Sequence, residues 1–98
     1  MFNKVKSVTV LDNYNLLIGF VCGKNKIYDL KPLFEKYDNF CLLKDISVLK
    51  TVKVDIGGYG VIWGDDLDLS CNELWDNGKD YKTAFDNLMS FKEATYLW

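Results

Sequence analysis

Residues 5–11 read Val-Lys-Ser-Val-Thr-Val-Leu, a run rich in β-branched side chains that predicts a first strand ending at the turn signal Asp12 and Asn13. Residues 15–22 place Leu16, Ile18, Phe20 and Cys22 on one face and Leu17, Gly19 and Val21 on the other. Apolar residues on both faces predict a central strand covered on both sides. Gly23, Lys24 and Asn25 supply a turn able to hold positive φ, and residues 26–29 return as a third strand. Three short strands joined by tight turns make an antiparallel meander.

Pro32 suits the first turn of a helix, where its missing N–H costs nothing, so a short helix is expected over residues 32–37. Asp38 and Asn39 interrupt it, and residues 40–44 allow one more helical turn. Residues 49–56 then alternate, with Val52, Val54 and Ile56 inward and Lys53 and Asp55 outward, which predicts a half-buried fourth strand. Gly57 and Gly58 form a hairpin turn into a fifth strand at 59–63. Ser70 and Glu73 match a capping box, Leu74 and Trp75 give that helix an apolar face, and Gly78 fits its C-terminal stop. A last helix is expected at 83–98, with Thr83 as N-cap and a ridge of Ala84, Leu88, Phe91, Thr95 and Trp98.

The fold class expected is therefore α+β, an antiparallel sheet of about five strands in the order β-β-β-α-β-β-α. A short helix precedes strand four, a capped helix follows strand five, and a C-terminal helix ends the chain. Residues 1–80 are expected to form one domain, with 81–98 as a C-terminal helix packing on the sheet or on a partner.

Composition narrows the function classes. The chain has 98 residues, 12 basic and 14 acidic, for a net charge of −2, so it lacks the electrostatic footprint of a non-specific nucleic-acid binder. It contains no His, which removes His-based triads, His metal ligands and imidazole acid-base chemistry together. Cys22, Cys41 and Cys71 are odd in number and widely spaced, a pattern of buried or half-buried free thiols rather than a disulfide framework or zinc site. No stretch approaches the ~20 apolar residues of a membrane span, and the N-terminus lacks a signal-peptide pattern. A cytoplasmic location is expected.

The one grouping with chemical potential is Asp65, Asp66 and Asp68, with Glu73 nearby. Clustered carboxylates can hold a divalent cation or share acid and base roles, but the register of an EF-hand loop is missing. A solvated acidic turn favouring the adjacent helix N-terminus is the simpler reading, and contact with a basic partner is the functional one. Gly57, Gly58, Gly60 and Gly64 precede a strand instead of opening a helix, so they serve turn geometry and not phosphate binding. The lysines are scattered among acids, and only Lys50 and Lys53 beside Tyr59 form a nucleic-acid alternative. Trp63, Trp75 and Trp98 suit core and rim packing, and any exposed one becomes an interface anchor. The candidate partner contacts are Asp65, Asp66, Asp68, Trp63, Trp75, Phe91 and Trp98; no catalytic, cofactor or metal residue is expected.

Several segments in order resemble the bacterial domain-of-unknown-function family 2442. They are Val5-Lys-Ser-Val, Leu16-Leu-Ile-Gly-Phe with Gly23, Ile27-Tyr-Asp-Leu-Lys-Pro-Leu33, Phe40-x-x-Leu-Lys-Asp45, Ile62-Trp-Gly-x-x-Leu-Asp-Leu69 and Glu73-Leu-Trp75. The likeness spans about residues 4 to 80. It implies an α+β fold with an antiparallel sheet, no established activity and no catalytic residues to carry over. Genes of the family often lie beside another uncharacterised gene, which implies a toxin–antitoxin-like pairing. Some members carry a helix-turn-helix region after the domain, and the tail here has room for only one helix. The function expected is a small non-enzymatic protein-interaction module, antitoxin-like, with a protein partner that is the product of an adjacent gene or a second copy bound through the C-terminal helix. The alternatives are a nucleic-acid-associated regulator, or an acidic inhibitor that masks a nucleic-acid-binding protein.

Overall fold

The β-branched run Val5–Leu11 forms β1 and pairs antiparallel with β2, Asn15–Phe20, in a computed structural model that describes residues 2–81. The register shifts between Val5 and Ser7, a bulge that turns the start of β1. Strand β3, Asn25–Asp29, completes the meander against β2, with Leu16 opposite Tyr28 and Ile18 opposite Lys26. Leu16, Ile18 and Phe20 are almost wholly buried, so β2 is central as its pattern predicts. Its second face is only half covered: Leu17 is half-buried and Val21 exposed. Cys22 lies beyond the end of β2 in the exposed turn, which corrects its expected burial, whereas Cys41 is half-buried and Cys71 buried; all three are free thiols.

The turn between β1 and β2 holds both Asn13 and Tyr14 at φ 60°, a region a bulky aromatic rarely adopts. Three contacts hold Tyr14 there. Its hydroxyl donates to the Lys44 carbonyl at 2.8 Å, its ring meets Phe34 edge-on at 5.3 Å, and its carbonyl accepts from the Leu30 amide at 2.9 Å. These contacts fasten the meander to α1, Lys31–Lys36, and to the 3-10 segment Asp38–Lys44.

Residues 49–56 do not form one strand, which corrects the expectation. Asp45 caps a short helix α2, Ile46–Leu49, by accepting from the Ser47 amide and hydroxyl at 2.9 and 2.6 Å. Those two bonds hold the Asp45 carboxyl below its ordinary pKa. The helical turn carries Leu49 into the core, and Thr51 and Val52 close it by donating back to Val48 and Leu49. Only Lys53–Val54 remains as β4. Asp55 then accepts from the Ile56 amide, and Gly57 and Gly58 turn the chain at φ 87° and 78°, so Ile56 stands 94% exposed rather than inward.

Strand β5, Gly60–Trp63, pairs with β4 and with β6, Leu67–Ser70, a strand hidden in what reads as an acidic turn. Leu67 and Leu69 are buried and Asp68 and Ser70 exposed, a period of two. Helix α3, Cys71–Asn77, follows, with the Ser70 hydroxyl accepting from the Glu73 amide at 3.1 Å as the capping motif predicts. Gly78 stops it at φ −77° and not in the left-handed region; glycine is needed because a Cβ would stand 2.5 Å from the Leu74 carbonyl. The short strand β7, Lys79–Asp80, then joins the edge of β3.

The α+β class and antiparallel pairing are as expected, but the strands divide between two sheets, β1-β2-β3-β7 and β4-β5-β6. Helix α3 touches β3 of one sheet and β5 and β6 of the other, and Leu74 with Cys71 lies in a core shared with Leu16, Ile18, Phe20 and Val61. No helix among the described residues is long and apolar enough to cross a membrane. The expected C-terminal helix, with Phe91 and Trp98, lies outside the described residues.

Two substitutions test this arrangement. Leu74→Ala removes a fully buried side chain from the shared core and is expected to cost about 2–5 kcal/mol in chemical denaturation. Gly60→Ala drives a methyl group into the Leu69 carbonyl and is expected to cost about 1–3 kcal/mol by the same measurement.

Candidate functional site

Where α1 and the 3-10 segment meet the two sheets, they leave an open cleft of about 590 Å³, within the ~300–1,000 Å³ of ligand sites. Pro32, Leu33, Lys36, Tyr37 and Phe40 form one wall. Tyr28 and Asp29 of β3, Asp68, Leu69 and Ser70 of β6, and Glu73 and Asn77 of α3 form the rest, with Lys79 at the rim. The floor is apolar through Leu33, Phe40 and Leu69, all buried, while Tyr37 is half exposed above it.

Polar order in the cleft centres on Glu73. Glu73 and Asn77 stand four residues apart on one face of α3, and Asn77 Nδ2 donates to Glu73 Oε2 at 2.9 Å. The buried Tyr28 hydroxyl donates to the same oxygen at 2.7 Å. Burial, that hydrogen bond and the Glu73 charge push the Tyr28 pKa well above its ordinary value. In a complete capping box Glu73 would reach back to the Ser70 amide. Here it turns away to Tyr28, so only half of the box forms.

Asp29 is paired with Lys31, its Oδ1 lying 2.9 Å from Lys31 Nζ and accepting from the Lys31 amide. Among the described residues neither Asp68 nor Glu73 has a cationic partner. Lys36 and Lys79 line the cleft without forming an ion pair to either.

Those of the predicted contact residues that lie among the described residues do not come together. Asp65 and Asp66 sit exposed in the β5–β6 turn, and Asp68 alone reaches the cleft. No three His, Cys, Asp or Glu side chains among the described residues form a group able to hold a metal ion. Trp63 is a core residue, 4% exposed, donating through Nε1 to the Leu49 carbonyl at 3.1 Å, so it is not open to a partner. Trp75 is half-buried, edge-on to Phe20 at 4.9 Å and covered by the Lys26 ammonium at 4.4 Å. Phe91 and Trp98 lie outside the described residues. Lys50, Lys53 and Tyr59, the nucleic-acid alternative, are all exposed.

Sequence reading passed over Tyr28, Tyr37, Asn77 and Lys79. The four-residue spacing of Glu73 and Asn77 and the Leu-Asp-Leu-Ser alternation of β6 were the signals that point to this place. A second surface feature lies at the β4–β5 turn, where Ile56, Tyr59 and Phe2 are exposed and the Phe2 and Tyr59 rings meet edge-on at 5.7 Å.

Tyr28→Phe is expected to lower stability by about 1–3 kcal/mol, since it removes a hydrogen bond to a carboxylate. Because the folded state raises the Tyr28 pKa, the stability this group contributes is complete below the ordinary value of 10.0 and is lost as pH rises above it. Thermal unfolding followed from neutral to strongly alkaline pH should show a steeper alkaline loss in the wild type than in Tyr28→Phe.

No curated protein and no solved structure matches the chain. A family model described as "Protein of unknown function (DUF2442)" matches residues 5–80. That span covers both sheets, helices α1, α2 and α3 and every cleft residue, and the chain belongs to the DUF2442 family of proteins of unknown function.

Proposed function

We propose that this protein is a small non-enzymatic interaction module, antitoxin-like, that holds a basic protein partner through the cleft between its two sheets. The observation that carries this reading is the cleft's composition: an apolar floor of Leu33, Phe40 and Leu69 beneath two carboxylates, Asp68 and Glu73, that form no ion pair with any cation of the described residues. Apolar surface supplies affinity and unpaired charge selects the sign of the partner. The net charge of −2 acts in the same direction at longer range. An inhibitor that masks a nucleic-acid-binding protein uses the same chemistry, because such a target presents a basic surface.

Tagged full-length chain expressed in its native host should recover one basic protein in stoichiometric amount, and the complex should weaken as salt rises. The double variant Asp68→Lys with Asn77→Lys places two cations on exposed positions of the cleft and is expected to abolish recovery. Repeated isolation of the bare chain contradicts an interaction role, and an undiminished complex with the double variant contradicts the cleft as its contact.

A further inference from the structure

Three consecutive residues of β6, Asp68, Leu69 and Ser70, all line the cleft. Side chains of a strand alternate between faces, so three in a row mark the strand's backbone edge as the wall. Strand β6 is an edge strand, paired with β5 alone among the described residues.

The ladder fixes which backbone groups face outward. Asp55 donates to the Gly60 carbonyl, directing that carbonyl toward β4, and Cys71 donates to the Tyr59 carbonyl across the β5–β6 side. With Gly60 opposite Ser70 and Val61 opposite Leu69, the alternation of antiparallel pairs makes Val61 and Leu69 a hydrogen-bonded pair. Gly60–Ser70 and Ile62–Asp68 are then non-bonded pairs. The Leu69 carbonyl does press toward Gly60, as this assignment requires. The N–H and C=O of Asp68 and the N–H of Ser70 therefore point away from β5, while the Ser70 carbonyl serves the first turn of α3. Glu73, which a complete capping box would aim at the Ser70 amide, is bonded to Tyr28 and Asn77 instead.

We propose that an extended basic segment of a protein partner adds to β6 as a fourth strand of the small sheet, hydrogen-bonding to Asp68 and Ser70. Strand addition draws affinity from main-chain bonds and specificity from alternate side chains. The inference rests on the interaction-module reading and deepens it. Lys or Arg side chains of the added strand meet the unpaired carboxylates of Asp68 and Glu73, and the intervening apolar side chains face Leu33 and Phe40.

The probe is a set of fluorescein-labelled eight-residue peptides in which Lys or Arg alternates with Val, Ile or Leu, titrated into the full chain by fluorescence polarisation. Matched peptides with Glu in place of Lys or Arg are expected to bind at least about tenfold more weakly. N-methylation of the alternate amides in one register should weaken binding by about tenfold or more, and in the other register hardly at all, because only one set faces β6. Asp68→Pro removes an outward N–H without breaking the ladder to β5 and should cause a similar loss. If that variant does not fold, the N-methylated peptides decide the matter on the wild type. Equal binding of both N-methylated registers, or no binding by any peptide, overturns strand addition. A native partner that still binds Asp68→Pro in full also overturns it while leaving the interaction role standing, whereas the absence of any native partner removes that role itself.

Discussion

The structure depends on a core that two small sheets must share. A sheet of three strands, one of them only Lys53–Val54, has too little surface to bury a face alone, and small assemblies of strands need a partner to be stable. Helix α3 supplies it by lying against both sheets, so that Leu74 and Cys71 sit among Leu16, Ile18, Phe20 and Val61. Trp63 closes the far side, its ring in the core and its N–H satisfied by the Leu49 carbonyl. That last bond requires α2 in place of a long strand at 49–56.

The cleft follows from the same constraint. Because α3 must reach from one sheet to the other, its exposed side brings Glu73 within reach of Tyr28 on β3. A buried tyrosine hydroxyl needs a hydrogen-bond partner, and leaving it unmet costs more than leaving a solvent-exposed amide to water. Glu73 therefore serves Tyr28 and leaves the reciprocal half of the capping box, the bond from the Ser70 amide, unmade. The result is a bridge between the sheets, beside a β6 edge that no strand but β5 pairs among the described residues. Stability and the open edge thus have a common origin in the path of α3.

Much of this was legible in the chain, and the misses have physical causes. The meander, the Pro32 helix and the Ser70 cap were readable because local chemistry alone decides them: β-branched runs, a fixed φ and a hydroxyl near an orphan amide. The strand expected at 49–56 failed because the Asp45 and Ser47 cap competes for the same residues, and a cap lying outside a periodic window is easily overlooked. Strand β6 was masked by the acids flanking Leu67 and Leu69, although its period of two was present. The family resemblance was legible from the spacing of its segments, and the family model covers residues 5–80. The cleft was not legible, since Tyr28 and Glu73 stand 45 residues apart and only the tertiary path of α3 unites them. Of the candidate contacts that fall among the described residues, Asp65, Asp66, Asp68, Trp63 and Trp75, Asp68 alone reaches the cleft, because they were chosen by chemical type and not by the edge they occupy.

This chain's compact core, apolar-floored cleft and β6 edge, which no strand but β5 pairs among the described residues, are best understood through that edge. Amide hydrogen exchange of the free full-length chain, resolved by residue in NMR spectra, examines it most directly. The Val61 and Leu69 amides should be strongly protected, and those of Asp68 and Ser70 should exchange as exposed amides do. Protection at Asp68 equal to that at Leu69 in the free protein would contradict the account, because the edge would already be covered.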